Sequence, residues 1–118
     1  MRPSIPDYRP EWNGAAELAS AADMTAVRAA GRAVVDLVLT DDDVFYDSLS
    51  DGLQADIITP VEMLEIALKP PSDDVDVVAA ARMVRAAVDR HHGTPGAAPG
   101  ELTTLTDQLP PAPPELLR

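Results

Sequence analysis

The sequence predicts a small all-α protein, a domain of three or four helices with extended Pro-rich arms at both ends. Three observations predict it. Ala15 to Leu39 runs without a proline and is rich in Ala, the best helix former. Two more stretches, led by Thr59-Pro60-Val61-Glu62 and Ser72-Asp73-Asp74, carry helix-start signals. The 12 prolines of the 118 residues gather mainly toward the two ends. The expected organisation is therefore an arm over 1–14, a helical domain over 15–92 and a Pro/Gly-rich arm over 93–118.

In chain order, the N-terminal arm has Pro3, Pro6 and Pro10, each of which biases the residue before it toward an extended shape. Ile5, Tyr8 and Trp12 are spaced along it as docking side chains, and Asn13 is placed to cap the helix that follows. Over Ala15–Leu39 a helical projection gathers Glu17, Arg28, Arg32 and Asp36 within a narrow arc. Leu18, Ala22, Ala26, Ala29, Ala33 and Leu37 lie on or near the other side. The β-branched run Val34 to Leu39 also suits a buried strand, but no second strand-like run exists to pair with it, so a helix is preferred.

Thr40 reads as an N-cap, with Asp41, Asp42 and Asp43 matching the positive end of a second helix. Phe45, Leu49 and Leu53 recur every four residues, and Ser50-Asp51-Gly52 reads as the stop. Residues 53–58 then read as a connector. Thr59 as N-cap, Pro60 at the first helical position and Glu62 two residues on form a capping box, with Ile58 stapled against Met63. Pro70-Pro71 ends that helix near Lys69. Ser72 caps the last long helix, whose buried side is Val77, Val78, Ala81, Val84, Ala87 and Val88. Acids open it, Arg82, Arg85 and Arg90 lie toward its end, and Gly93 closes it. Thr103 to Leu109 suits a turn of helix. Residues 110–114 read as polyproline II, and Leu116 and Leu117 form a short apolar tag.

Composition narrows the function classes. Without cysteine there is neither disulfide nor thiolate chemistry. No apolar leader opens the chain and no uncharged run reaches membrane-spanning length, so a cytoplasmic protein is expected, in a host cell or virion if phage-encoded. Eight arginines to one lysine, with heavy use of Ala, Val, Asp and Pro, point to a GC-rich source such as an actinobacterium or its phage. The net charge of −11 is localised: residues 41–76 hold eleven acids against Lys69 alone, a balance of −10. Such a field repels nucleic acid and anionic membrane and attracts a basic protein surface.

Candidate sites divide by chemistry. His91-His92 is the only histidine pair, but adjacent helical residues point about 100° apart and no ligand spacing accompanies them, so no metal is expected. The Asp cluster does not fit a calcium loop. Counting from Asp47 the third position is Leu49, and counting from Asp41 the fifth is Phe45. Asp47-Ser48-Leu49 resembles the tripeptide of acyl carrier proteins, whose serine carries phosphopantetheine, and the small acidic helical form agrees. In that family the serine opens a helix with Val-Glu-Leu soon after. Here Val61-Glu62-Met63 follows Thr59-Pro60 on what reads as another helix, and Phe45-Tyr46 replaces small residues upstream. The resemblance stops at three residues, and no cofactor is expected. With no nucleophile elbow or phosphate-cradling loop, the chain reads as a noncatalytic interaction protein.

Two functions fit that description. One is a structural or assembly subunit of a larger complex, a phage particle being the concrete case, joined to a protein partner or a second copy through arm anchors Ile5, Tyr8, Trp12, Leu109, Leu116 and Leu117. The other is an acidic regulator covering a basic surface through Asp41, Asp42, Asp43 and Asp47, as an immunity protein, antitoxin or nucleic-acid mimic does.

Overall fold

The structure is a computed structural model that describes residues 14–40, 44–93 and 98–117. Its elements are all helical: α1 (Ala15–Ala21), α2 (Met24–Val38), α3 (Val44–Asp47), α4 (Asp51–Leu68), α5 (Asp74–Arg90), α6 (Gly100–Thr106) and a closing 3-10 turn (Pro114–Leu117). No strand occurs among the described residues, and Val34 to Val38 are helical.

The long first helix divides in two. Ala22 is extended, and Asp23 accepts hydrogen bonds from the N–H groups of Thr25 and Ala26, making it the N-cap of α2. An Asp side chain that competes for backbone donors favours a helix start over a helix interior. The division lets α1 pack on α5 while α2 packs on α4 and α6. Ala15 is buried with Val78 and Ala79 in a small satellite cluster. The opening cap of α1 is Gly14, at a left-handed φ of 78°, while Asn13 lies outside the described residues. The buried stripe of α2 is also rotated from the expected one. Val27, Ala30, Gly31, Val34, Val35 and Val38 are buried, whereas Ala26 and Ala29 are exposed. Valine carries more apolar surface than alanine, so the valines take the core and turn the helix by about one residue, 100°.

Ser50 does not stop a helix. It starts α4, its hydroxyl accepting from the Leu53 N–H at 3.3 Å. Residues 53–58 are helix, not connector, and Thr59-Pro60 lies inside α4 rather than at its start. Pro60 has no N–H for the Asp56 carbonyl one turn back. The helix continues because Leu53, Ile57, Pro60, Val61, Leu64 and Leu68 form one uninterrupted buried stripe. That burial, at roughly 1.5–3 kcal/mol per large apolar side chain, outweighs the roughly 3 kcal/mol of an interior proline. What remains of the preceding helix is the four residues of α3, from which Tyr46 donates its hydroxyl to the Gln54 carbonyl at 3.0 Å. The acids at 41–43 and the capping role of Thr40 toward them lie at or outside the edge of the described residues.

α4 ends at Leu68 before Pro70-Pro71, as the sequence predicts. The cap of α5 moves by one residue. Asp73 accepts from the Val75 and Asp76 N–H groups, while the Ser72 hydroxyl accepts from Arg28 at 2.6 Å. The six expected core positions of α5 are all buried. The last helical residue is Arg90, three before Gly93.

The core lies where α2, α4 and α5 meet, and α4 against α5 is the most extensive pairing. Beyond residue 98 the chain does not stand off as an extended arm. α6 packs on α2 and α5, burying Leu102 completely and Thr106 to 2% exposure, and Leu109 follows at 2%. A helical turn over Thr103–Leu109 was readable from sequence. Its role in closing the core was not.

Candidate functional site

The described surface is acidic because exposed acids outnumber exposed bases along α3, α4 and the start of α5. Asp47, Asp51, Glu62, Asp73, Asp74 and Asp76 are exposed, at α3, along α4 and at the start of α5. Several are placed by helix physics, since Asp51, Asp74 and Asp76 occupy first turns, where the helix dipole is positive. Against them, Arg28 pairs with Asp74 and bonds Ser72, tying α2 to the start of α5.

The three arginines of α5 turn to the chain's own C-terminal segment. Arg82, 5% exposed, donates through Nε to the Pro111 carbonyl at 3.2 Å. Arg85 Nη1 donates to the Leu109 carbonyl at 2.7 Å and to that of Asp107 at 3.5 Å, while its Nε lies 3.7 Å from Asp89. Arg90 Nη1 donates to the Leu116 carbonyl at 2.5 Å. From sequence these arginines read as a complement to the helix dipole. What they bind is backbone carbonyls, which leave no mark in composition.

A second polar node joins the two ends of the α4–α5 pair. His91 Nε2 and Asp56 Oδ2 are 2.6 Å apart, and Arg90 Nε lies 3.6 Å from the same oxygen. The hydrogen bond from His91 holds the Asp56 carboxyl below its ordinary value of 3.8; burial opposes this and the Arg90 charge supports it. His91 is thus a structural link, and its ring stands against Gly52, where an added Cβ would meet Cε1 at 3.0 Å.

Of the sequence-predicted site residues, Asp47, Leu109, Leu116 and Leu117 fall among the described residues. Ile5, Tyr8, Trp12, Asp41, Asp42 and Asp43 lie outside the described residues. Asp47 is exposed at the end of α3. Leu109 is buried in this chain's own core and is not displayed on the surface. Leu116 is half-buried with its carbonyl taken by Arg90, and Leu117 is 45% exposed. Ser48 is exposed in the turn before α4 and donates to the Phe45 carbonyl at 2.5 Å, two residues ahead of the helix cap.

No group of three or more His, Cys, Asp or Glu among the described residues is arranged to hold a metal ion, and none of the described helices is long and apolar enough to cross a membrane. The depression between α2 and α6, about 370 Å³, is open and lined by Ala33, Leu37, Glu101, Thr104 and Leu105. It presents a single acid and no partner base. Comparison with protein families, with curated proteins and with solved structures finds no match.

Proposed function

We infer that this chain is a noncatalytic protein-binding module that covers a basic surface of its partner, in the manner of an immunity protein, an antitoxin or a nucleic-acid mimic. The observation that carries the reading is the division of charge. Arg82, Arg85 and Arg90 are spent on the chain's own carbonyls, and the acids of α3, α4 and the start of α5 face solvent. A one-signed surface on a folded scaffold speeds encounter with an opposite charge and rejects like-charged partners.

The test is capture of the partner from the natural source on the tagged chain, followed by a salt gradient. Binding through exposed charge weakens steeply as the screening length falls from about 10 Å at 0.1 M toward 3 Å at 1 M. Neutralising Asp47, Asp51, Glu62 and Asp76 to their amides abolishes it. A complex that survives high salt and those substitutions rejects the reading.

A second reading, a subunit of a larger assembly such as a phage particle, draws on Leu117, an apolar side chain 45% exposed at the C-terminal end. Its other apolar anchors are Ile5, Tyr8 and Trp12 of the N-terminal segment. Loss of the salt-resistant complex on deleting residues 1–13 favours this reading over the first.

A further inference from the structure

The segment from Leu109 to Leu117 is held against α5 in the way a bound peptide is held. Four of the eight residues from Pro110 to Leu117 are prolines, which have no N–H. The segment therefore presents mainly acceptors, and the side chains facing it are donors only: guanidinium groups of Arg82, Arg85 and Arg90 take the carbonyls of Pro111, Leu109 and Leu116. Apolar contact supplies the rest. Leu109 is 2% exposed, and Pro110 and Pro113 are buried. No strand pairing ties the segment down. Its backbone bonds to itself are few, the Leu116 N–H to the Pro113 carbonyl and the Leu109 N–H to Thr106. Proline rings, one leucine and a row of carbonyls are what this face of α5 recognises. The chain's own sequence, seated there, displays the fit.

We propose that the arginine-bearing face of α5 is a receptor for a Leu-Pro-Pro-x-Pro segment, filled in cis by residues 109–117, and that the same segment of a second copy fills it in trans, joining two chains by exchange. The second copy is the occupant the observations favour, because its segment is identical to the one already seated. The exposed turn at Asp107-Gln108 joins the segment to α6, and on exchange Leu109 of one copy takes the core position, beside Leu102, that Leu109 of the other leaves. In cis the segment has an effective concentration of order millimolar, so exchange grows with protein concentration. The acidic face does not enter this inference.

The experiment titrates a fluorescent peptide with the sequence of residues 107–118 into three full-length proteins: the natural chain, a Leu109→Asn/Pro113→Asn variant that weakens the cis occupant, and that variant with Arg82→Ala and Arg85→Ala added. Circular dichroism checks helix content in each. The cis-weakened variant binds the peptide about tenfold or more tightly than the natural chain does, because its competitor is impaired, and the arginine substitutions remove that gain. A helical cis-weakened variant that binds the peptide no better than the natural chain overturns the proposal. Should that variant lose its helices, the natural chain alone decides in sedimentation up to about 1 mM, the range of the cis effective concentration. Dimer that grows with concentration and is dispersed by excess peptide supports exchange. A chain that stays monomeric throughout, or a dimer indifferent to the peptide, overturns it.

Discussion

Leu102→Ala tests whether the C-terminal region belongs to the core. Leu102 is fully buried on α6, in the same cluster as Val34 and Val84. Truncating a buried leucine removes its transfer free energy and leaves a cavity, together about 2–5 kcal/mol. A loss of about 3 kcal/mol is the expected outcome at a site with no solvent access. A chain this long has a total stability of roughly 6–18 kcal/mol, at 0.05–0.15 kcal/mol per residue, so the variant still folds. With a urea slope near 1.5 kcal/mol per molar, the midpoint falls by about 2 M. The assay is urea denaturation followed by far-UV circular dichroism, with Leu117→Ala as the control. Leu117 is 45% exposed, so its truncation costs well under about 1 kcal/mol. One alternative route limits the loss. If α6 detaches while α2, α4 and α5 stay packed, the midpoint moves less and the slope drops, because less surface is exposed in the main transition. A Leu102→Ala midpoint and slope both equal to those of the natural chain would refute the packing argument.

Three further outcomes follow from named contacts. Ser50→Ala loses about 1 kcal/mol because it removes the cap of α4, whereas Thr59→Ala in the interior of that helix changes stability by less than about 0.5 kcal/mol; paired denaturant midpoints check both. Gly31→Ala stabilises by about 0.5–1 kcal/mol, since the new Cβ meets only Leu64 and Leu68 methyls at 3.4–3.7 Å and helix propensity improves; a lowered melting midpoint contradicts it. Asp56 has a folded pKa below its ordinary 3.8, so its contribution to stability is present above that value and fades as pH falls through the lower folded pKa. Melting midpoints of the natural chain and Asp56→Asn therefore converge below pH 4, and a constant gap down to pH 2 counts against the His91 link.

What the sequence made legible was set by local physics. The last half of α2, the end of α4 before Pro70-Pro71, the acids opening α5 and its buried valines and alanines are decided by periodicity, proline and the helix dipole, all within a few residues. The errors arose where a distant contact outweighed a local signal. Thr59-Pro60-x-Glu62 has every mark of a helix start, yet Ile57, Val61 and Leu64 need one continuous stripe to cover the facing helices, and that need carries the helix through the proline. Ser50-Asp51-Gly52 carries both start and stop residues, and the choice falls to the Ser50 hydroxyl and the core behind Leu53. The Pro-rich end was the least legible. Pro110 to Pro114 has no periodicity and a single backbone donor, that of Ala112, so nothing local assigns it a place in the fold. Its place comes from three guanidinium groups more than twenty residues earlier. The same guanidinium groups pair with acids as well, Arg85 with Asp89 and Arg90 with Asp56, so α5 joins the C-terminal segment to the helical core through one set of side chains.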